Sequence, residues 1–134
     1  MGILSWLGLE AEPEKEPLEV NDDNFGKEVL KSDIPVLLDV WSLDCPHCHK
    51  LVPTIKKLAA KYDSRVKVTH LNLSTNRRTA GKIRVKGTPT VLVYNKGSEY
   101  ERVVGVRGQH FYEEILNELV PPLEENTQES APEK

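Results

Sequence analysis

The sequence predicts an α/β protein in which helices flank both faces of a central mixed β-sheet. Apolar, strand-like runs alternate with segments of helical periodicity, which gives the element order βαβαβαββα. Strands joined through a helix are expected to be parallel, and a late hairpin adds antiparallel strands. The chain has 134 residues, 38% hydrophobic and 29% charged, which is enough for one sizeable core in a globular protein.

Five predicted elements occupy the first half of the globular region. In chain order they are a strand at 18–20, a helix from Asp22 or Asp23 to about Lys31, a strand at 35–41, a helix at 46–62 and a strand at 66–73. The first of these helices would bury Phe25, Val29 and Leu30. The run PVLLDVW at 35–41 carries one charge, which is typical of a strand buried on both faces.

The second half of this region adds two helices and a hairpin. The predicted elements are a short helix at 75–84, strands at 90–94 and 101–106, and a helix at 109–120. The two strands are joined around Asn95-Lys96-Gly97-Ser98, which favours a hairpin turn. The apolar positions of the last helix are Phe111, Ile115, Leu116 and Leu119.

The segments near the two ends of the chain are acidic, whereas its centre is mildly basic. Residues 10–19 carry a net charge of −4 and residues 121–134 carry −3, which leaves a mildly basic centre. We therefore expect an N-terminal extension at 1–17 with a short amphipathic helix and an acidic linker, a globular domain at 18–120, and a disordered acidic tail at 121–134. The positive charge of the centre is too weak and too scattered to indicate nucleic-acid binding.

The first residues carry no targeting pattern. The apolar stretch from Ile3 to Leu9 is far shorter than the roughly 20 residues of a membrane span, and no Lys or Arg precedes it as in a signal peptide. We expect a cytoplasmic protein and a monomer. Docking of residues 3–9 to a membrane or a partner is not favoured, because the acidic linker would disfavour anionic lipid.

Cys45 and Cys48 are the only thiols of the chain, and their spacing indicates redox chemistry or metal binding. Pro46 suits the first turn of a helix, so Cys45 would lie at or beside its N-cap, where free N–H groups and the helix dipole stabilise a thiolate. Cys48 lies one turn further along, close enough to form a disulfide and more buried. Cys45 would attack a substrate disulfide, and Cys48 would resolve the mixed disulfide.

Three other interpretations of this cluster are less well supported. A purely structural cysteine pair would not normally follow a strand and lie behind Pro46 at a helix start. His49 completes a Cys-x-x-Cys-His haem-attachment signature, but no export signal is present and the only methionine is Met1. Zinc ligation by the cysteines and histidines of residues 45–49 would need two chains, because four ligands so close in sequence cannot surround one tetrahedral centre. No metal site is predicted.

At these residues the sequence resembles the thioredoxin family. Residues 39–48, with Pro53 downstream, are similar to the family's active-site region, Gly87-Thr88-Pro89-Thr90 is similar to its cis-proline loop, and Gly105 matches a family glycine. The resemblance covers about residues 18–120. It implies a thioredoxin-like fold and an enzyme, a protein-disulfide oxidoreductase. It also implies that no cofactor is needed, because the cysteines themselves make and break the bond.

The resemblance also implies roles for single residues. Pro89 would be cis and face the cysteines, the backbone of Thr88 would pair with an extended substrate, and Trp41 would pack beneath the active-site loop. Asp39 would relay a proton to or from Cys48. Independently of the family, a lone carboxyl group in an apolar strand should have a raised pKa, which suits proton transfer.

Three departures from the family pattern bear on the reduction potential. Pro46-His47 replaces the usual Gly-Pro and resembles the strongly oxidising periplasmic enzymes, a difference worth on the order of 100 mV. Asp44 stands where the family usually has Trp, and its negative charge would oppose a thiolate at Cys45. His70 stands where the family often has a Lys that partners the buried acid.

The leading hypothesis is dithiol–disulfide exchange with disulfide-containing protein substrates, in the reducing direction. The electrons would come from a thioredoxin-reductase-type flavoenzyme. One alternative is a thioredoxin-like adaptor or chaperone whose groove near Pro89 and Trp41 holds partners, and a less favoured one is a metal-binding protein. The intact cysteine pair and Asp39 argue against an adaptor.

Overall fold

A five-stranded mixed sheet runs through the centre of the protein. The structure is a computed structural model that describes residues 12–121. The strands are β1 (Leu18–Val20), β2 (Val36–Trp41), β3 (Lys67–Asn72), β4 (Thr90–Asn95) and β5 (Ser98–Val104). Their order across the sheet is β1-β3-β2-β4-β5. The first three strands are parallel, and β4 is antiparallel to both β2 and β5, which confirms the predicted mixed sheet.

Three helical segments lie between strands β1 to β4, and a fourth follows β5. Within residues 12–121 they are a π-helix at Gly26–Leu30 and the α-helices α1 (Pro46–Lys61), α2 (Arg77–Lys82) and α3 (Gln109–Leu119). Their order along the chain agrees with the predicted one. None of the helices in this part of the chain is long and apolar enough to cross a membrane.

The segment after β1 differs most from its prediction. A helix capped by Asp22 or Asp23 is expected, but the helix that forms begins at Gly26 and has π geometry. The Asn21 side chain accepts two backbone N–H groups of the intervening turn, at 2.8 and 2.9 Å, and so holds it outside the helix. The carboxylate of Asp22 accepts a hydrogen bond from the Thr79 N–H of α2 at 2.8 Å. It therefore binds α2 and does not cap the helix that follows β1.

The sheet buries one apolar layer on each face. Helices α1 and α3 cover one layer, whose largest members are Leu37, Leu51, Ile55, Leu58, Tyr62, Tyr112 and Leu116. The π-helix and the chain after α2 cover the other, which includes Phe25, Val29, Leu38, Leu71, Ile83 and Leu92. Leu30, predicted to be buried, is 37% exposed because the π-helix turns it outward. Side chains alternate along β2, so Asp39 points into the same layer as Leu37, beneath α1.

The β4–β5 hairpin turns through Lys96 and Gly97. Both residues have positive φ, 54° and 83°, which a two-residue hairpin turn requires. β5 starts at Ser98, three residues earlier than predicted, because the tight turn lets pairing begin at once. A Cβ atom on Gly97 would lie 2.7 Å from the carbonyl oxygen of Leu30, so the hairpin packs closely on the π-helix.

The residues just before β1 lie against α1. The backbone N–H of Lys15 donates to the carbonyl of Lys56 at 3.1 Å, and the Lys15 ammonium pairs with Asp63. Glu16 forms an ion pair with Lys56 at 3.0 Å. These contacts hold the segment beside the helix. The predicted amphipathic helix at residues 3–9 lies outside the described residues.

The other end of the described chain is held at the same end of α1. The guanidinium of Arg65 donates to the carbonyl of Pro121 at 2.5 Å and to the carbonyl of Lys61 at 3.1 Å. The chain therefore enters and leaves this part of the protein near the C-terminal end of α1. The acidic tail beyond Pro121 lies outside the described residues.

Candidate active site

Cys45 and Cys48 lie at the start of α1, just beyond the end of β2. They are joined by a disulfide bond, with their Cα atoms 5.3 Å apart. Cys45 is the N-cap residue of α1, and its Sγ accepts the backbone N–H of Cys48 at 3.2 Å. Pro46 lies in the first turn, as predicted. The Cys45 sulphur thus lies at the positive end of the helix dipole, which favours a thiolate.

Cys45 and Cys48 are almost equally buried, which differs from the prediction. Cys48 is predicted to be the more buried, but Cys45 is 7% exposed and Cys48 is 6% exposed. The disulfide draws both side chains together, and the loop before β4 covers Cys45. The distinction between the two cysteines therefore rests on their helix positions, since only Cys45 is the N-cap.

The loop before β4 contacts Cys45 directly. The Thr88–Pro89 peptide bond is cis, and the Thr88 hydroxyl donates to Cys45 Sγ at 3.4 Å. The same hydroxyl shares a 2.7 Å hydrogen bond with the Ser42 hydroxyl. The backbone N–H of Gly105 donates to the Pro89 carbonyl at 2.9 Å, which ties the end of β5 to this loop. The loop therefore adopts the predicted cis form and faces the cysteines.

Asp39 is a buried acid in the middle of the sheet. Burial raises the pKa of its carboxyl group to about 7, from an ordinary value of 3.8. Within residues 12–121, its Oδ1 has no hydrogen-bond partner. Its neighbours across the sheet are His70 on β3 and Val91 on β4. A carboxyl group with this pKa can take up and release a proton at neutral pH.

A cavity of about 300 Å³ connects Asp39 with Cys48. His70 lines it from the sheet, and the paired side chains of Lys56 and Glu16 line it from α1 and from the segment before β1. A cavity of this volume can hold water beside the buried carboxyl group. Residues before β1 form part of its wall, a contribution that the sequence pattern does not reveal.

Trp41 and His70 stack beside this cavity. Their ring centroids are 6.2 Å apart and their planes are inclined by 21°. Burial lowers the pKa of His70, while the carboxylates of Glu19 and Glu16 act in the opposite direction. The imidazole is therefore mainly uncharged at neutral pH. Trp41 lines the cavity that Cys48 also lines, so it lies close to the Cys45–Cys48 disulfide.

Asp44 and His47 are exposed on either side of Cys45. Asp44 has a φ of 59°, a left-handed conformation that Asp and Asn tolerate better than aromatic residues do. The backbone thus gives a local reason for Asp at this position. Among the described residues, no group of three or more His, Cys, Asp or Glu side chains is placed to hold a metal ion.

Sequence reasoning did not single out two residues that the structure brings to the site. The Ser42 hydroxyl forms a hydrogen bond with the Thr88 hydroxyl. Nothing in the sequence around a loop serine predicts a hydrogen bond to a residue so far along the chain. Tyr112 is fully buried, whereas Phe111, one of the predicted apolar positions, is 41% exposed. The helical spacing of Tyr112 to Ile115 and Leu116 is the signal that could have revealed this.

The hydroxyl of Tyr112 has no hydrogen-bond partner within residues 12–121. Burial raises the pKa of this hydroxyl, and the negative charge of the Asp39 carboxylate acts in the same direction. The Asp39 carboxyl and the Tyr112 hydroxyl are therefore two incompletely bonded polar groups in one apolar layer.

Comparison with known proteins identifies similarity to one family. The family model described as Thioredoxin matches residues 16–118. Thioredoxin of Rickettsia bellii is 35% identical over 98 residues, which are 73% of this chain and 93% of that protein. Thioredoxin 1 of Nostoc sp. is 33% identical over 65% of this chain and 81% of that protein. A bifunctional thioredoxin reductase/thioredoxin of Mycobacterium leprae is 31% identical over 79% of this chain, but over 23% of its own length.

Proposed function

Because the chain belongs to the thioredoxin family and is a thiol–disulfide oxidoreductase, we propose that Cys45 and Cys48 are its redox pair and that it reduces protein disulfides. The observation that carries this proposal is the Cys45–Cys48 disulfide at the start of α1, with the Cys48 N–H on Cys45 Sγ. The cysteines supply the electrons themselves, so the reaction needs no cofactor.

In the first step the Cys45 thiolate attacks one sulphur of a substrate disulfide. The substrate S–S bond breaks, a mixed disulfide between Cys45 and the substrate forms, and one substrate thiolate leaves. The helix N-terminus and the Thr88 hydroxyl stabilise the attacking thiolate, because both place N–H or O–H groups at Cys45 Sγ.

In the second step Cys48 resolves the mixed disulfide. Asp39 accepts the proton of the Cys48 thiol, and the resulting thiolate attacks Cys45 Sγ. The Cys45–Cys48 bond forms, and the second substrate thiolate leaves and takes up a proton. Two electrons have then moved from the protein to the substrate. The shared cavity and the raised pKa of Asp39 support this role.

Four residues would tune the potential of the pair. His70 would pass protons between Asp39 and the cavity, since it lies beside Asp39 in the sheet. Pro46 would fix the first turn of α1. His47 would stabilise the Cys45 thiolate, and Asp44 would oppose it, because the two side chains flank Cys45 with opposite electrostatic character.

The substrate would contact the surface around the cis-proline loop. The backbone of Thr88 would pair with an extended substrate segment, with Pro89 and Trp41 forming the apolar floor. A thioredoxin-reductase-type flavoenzyme would return electrons to the Cys45–Cys48 disulfide, and the name of the bifunctional relative supports this pairing. A reductase of this kind works where thiols stay reduced, so the cytoplasm is the proposed location.

Reduction of insulin by dithiothreitol tests the catalytic proposal. Cys45→Ser is expected to abolish the acceleration over dithiothreitol alone. Cys48→Ser, reduced and then freed of dithiothreitol, is expected to accumulate a covalent mixed disulfide with insulin, because attack by Cys45 remains possible and resolution does not. Retained acceleration in Cys45→Ser would refute the proposal and favour an adaptor.

The reduction potential tests the direction of the reaction. Equilibration in glutathione or dithiothreitol redox buffers, followed by alkylation of free thiols, gives the potential of the Cys45–Cys48 pair. A value near −270 mV, about that of thioredoxin, is expected for a reductase. A value higher by roughly 60 mV or more, a hundredfold in the equilibrium constant, would indicate an oxidant or isomerase instead.

A further inference from the structure

Arg107 lies beside the loop that contacts Cys45. A Cβ atom on Gly105 would be 3.5 Å from Nη1 of Arg107, so the guanidinium packs over the Gly105 backbone. Gly105 in turn donates to the Pro89 carbonyl at 2.9 Å. The neighbouring Thr88 hydroxyl is 3.4 Å from Cys45 Sγ. A short series of contacts therefore links the Arg107 side chain to the reacting sulphur.

The guanidinium of Arg107 is held in place by its own surroundings. Its Nη1 donates to the Val106 carbonyl at 3.1 Å, and its Cζ lies 5.6 Å from the centroid of the Phe111 ring. Within residues 12–121, no carboxylate lies within 4.0 Å of it, whereas Arg78 and Arg102 are both ion-paired. In the described part of the chain, one of its five N–H groups has an acceptor and the others have none.

The surface around Arg107 is apolar and basic. Val104 is 64% exposed and Phe111 is 41% exposed. A second cation, Lys86, is exposed two residues before Thr88. Asp44 is an exposed acid directly before Cys45 in the sequence. An incoming polypeptide would therefore meet apolar side chains and a positive charge beside this loop.

We propose that Arg107 binds a carboxylate of the substrate, so that the enzyme prefers protein disulfides with acidic residues close to the reacting cysteine. This inference rests on the proposed function. A held guanidinium presents a planar pair of donors that matches a carboxylate, and it loses little freedom on binding. The contacts run from Arg107 over Gly105 to Pro89, and the adjacent Thr88 touches Cys45 Sγ. The acidic residue would therefore lie within a few positions of the substrate cysteine in an extended chain.

Peptide disulfides of defined charge test this preference. Each probe is the disulfide-linked homodimer of a short peptide with one cysteine, and the second and third residues on both sides are Glu, Gln or Lys. Reduced protein is mixed with each peptide at low ionic strength, quenched with acid, and analysed by mass spectrometry for the second-order rate constant. We expect the Glu peptide to react about fivefold faster than the Gln peptide, and the ratio to fall in high salt.

Variants assign the preference to Arg107. In Arg107→Gln the Glu-to-Gln ratio is expected to fall to about one, and in Arg107→Glu the Lys peptide is expected to become the fastest. Lys96→Gln is the matched control, since Lys96 is an exposed cation in the hairpin turn at the far end of β4, and it should keep the wild-type ratio. Equal rates in the wild type, or a ratio unaffected by Arg107→Gln, would overturn the inference while leaving the proposed function intact. Failure of every peptide to oxidise the wild type would overturn both.

Discussion

Asp39 on β2 and His70 on β3 are direct neighbours in the parallel part of the sheet, and both open into one cavity beside Cys48. Burial raises the pKa of the acid and lowers the pKa of the imidazole, so burial favours the uncharged form of both. The pair therefore differs from a salt bridge, in which opposite charges would stabilise each other. This arrangement keeps a proton available close to Cys48.

Asp39→Asn should raise the free energy of unfolding, and the increase should be larger at high pH than at low pH. The pKa of Asp39 is about 7 in the folded protein and 3.8 ordinarily, so the unfolded chain ionises first as the pH rises. The free energy of unfolding of the wild type therefore falls as the pH rises from about 4 to 7, by on the order of 4 kcal/mol at most. The Asn side chain does not ionise, so Asp39→Asn does not show this decrease. Urea unfolding of the oxidised proteins at pH 4 and pH 8 measures the difference, which should be large only at pH 8.

Asp33→Asn is the control for this comparison, because Asp33 is an exposed acid on the loop before β2. It should change stability little at either pH. All other titrating groups, His70 included, are the same in the wild type and in Asp39→Asn, so the difference isolates one carboxyl group. Equal effects of Asp39→Asn at both pH values would mean that this carboxyl group stays ionised in the folded protein.

Asp44→Asn should raise the reduction potential. The carboxylate of Asp44 repels a thiolate at Cys45, so its removal stabilises the reduced form. Asn is the suitable replacement because it also tolerates a φ of 59°. Since the side chain is exposed, the expected rise is about 10 mV, measured in glutathione redox buffers at low salt. A fall in potential would show that Asp44 acts through the backbone instead.

His47→Gln should lower the reduction potential. An imidazole next to Cys45 stabilises the thiolate, because its N–H can donate to the negatively charged sulphur. Since the His47 side chain is exposed, the expected decrease is about 10 mV. The same redox titration in glutathione buffers tests this. His110→Gln, in the first turn of α3, is the matched control and should leave the potential unchanged.

Tyr112→Phe should stabilise the fold. The Tyr112 hydroxyl is buried and, among the described residues, has no hydrogen-bond partner, so its removal relieves a desolvation cost of about 1 kcal/mol. Tyr62→Phe is the matched comparison, because the Tyr62 hydroxyl donates to Asn117 at 2.7 Å and its loss should cost about as much. Thermal unfolding should show a higher melting temperature for Tyr112→Phe and a lower one for Tyr62→Phe. Destabilisation by Tyr112→Phe would imply a buried water on this hydroxyl.

Gly97→Ala should destabilise the protein by about 1–3 kcal/mol. The residue has a φ of 83°, and the new Cβ would lie 2.7 Å from the Leu30 carbonyl oxygen, which cannot move without the π-helix. Gly26→Ala is the control. A Cβ there meets nothing within 4 Å, so this helical substitution should be neutral or slightly stabilising. Urea unfolding separates the two outcomes.

The sequence predicted best those features that depend on local pattern. The apolar runs of β2 and β4 and the turn at Asn95–Ser98 are visible because burial on both faces and positive φ each restrict the residue types. The position of Cys45 at the helix N-cap follows from Pro46 in the same way. These signals need no knowledge of the rest of the fold.

Features that depend on distant contacts were not predictable. The helix expected at Asp22 is replaced because that carboxylate is bonded to Thr79, 57 residues later. The wall that Glu16 adds to the cavity depends on its pairing with Lys56. Burial of Tyr112 in place of Phe111 depends on how α3 is rotated about its axis against the sheet. In each case a partner far along the chain decides between local alternatives.

The two ends of the described chain are held at Asp63 and Arg65, near the C-terminal end of α1, whereas Cys45 lies at its N-terminal end. A helix of 16 residues is about 24 Å long, so the two sites are separated by nearly the width of the domain. An electrode, a bead or a second protein attached where the described chain begins or ends would therefore lie on the side of the domain away from the two cysteines. Immobilised in this way, the protein would present its disulfide to the medium.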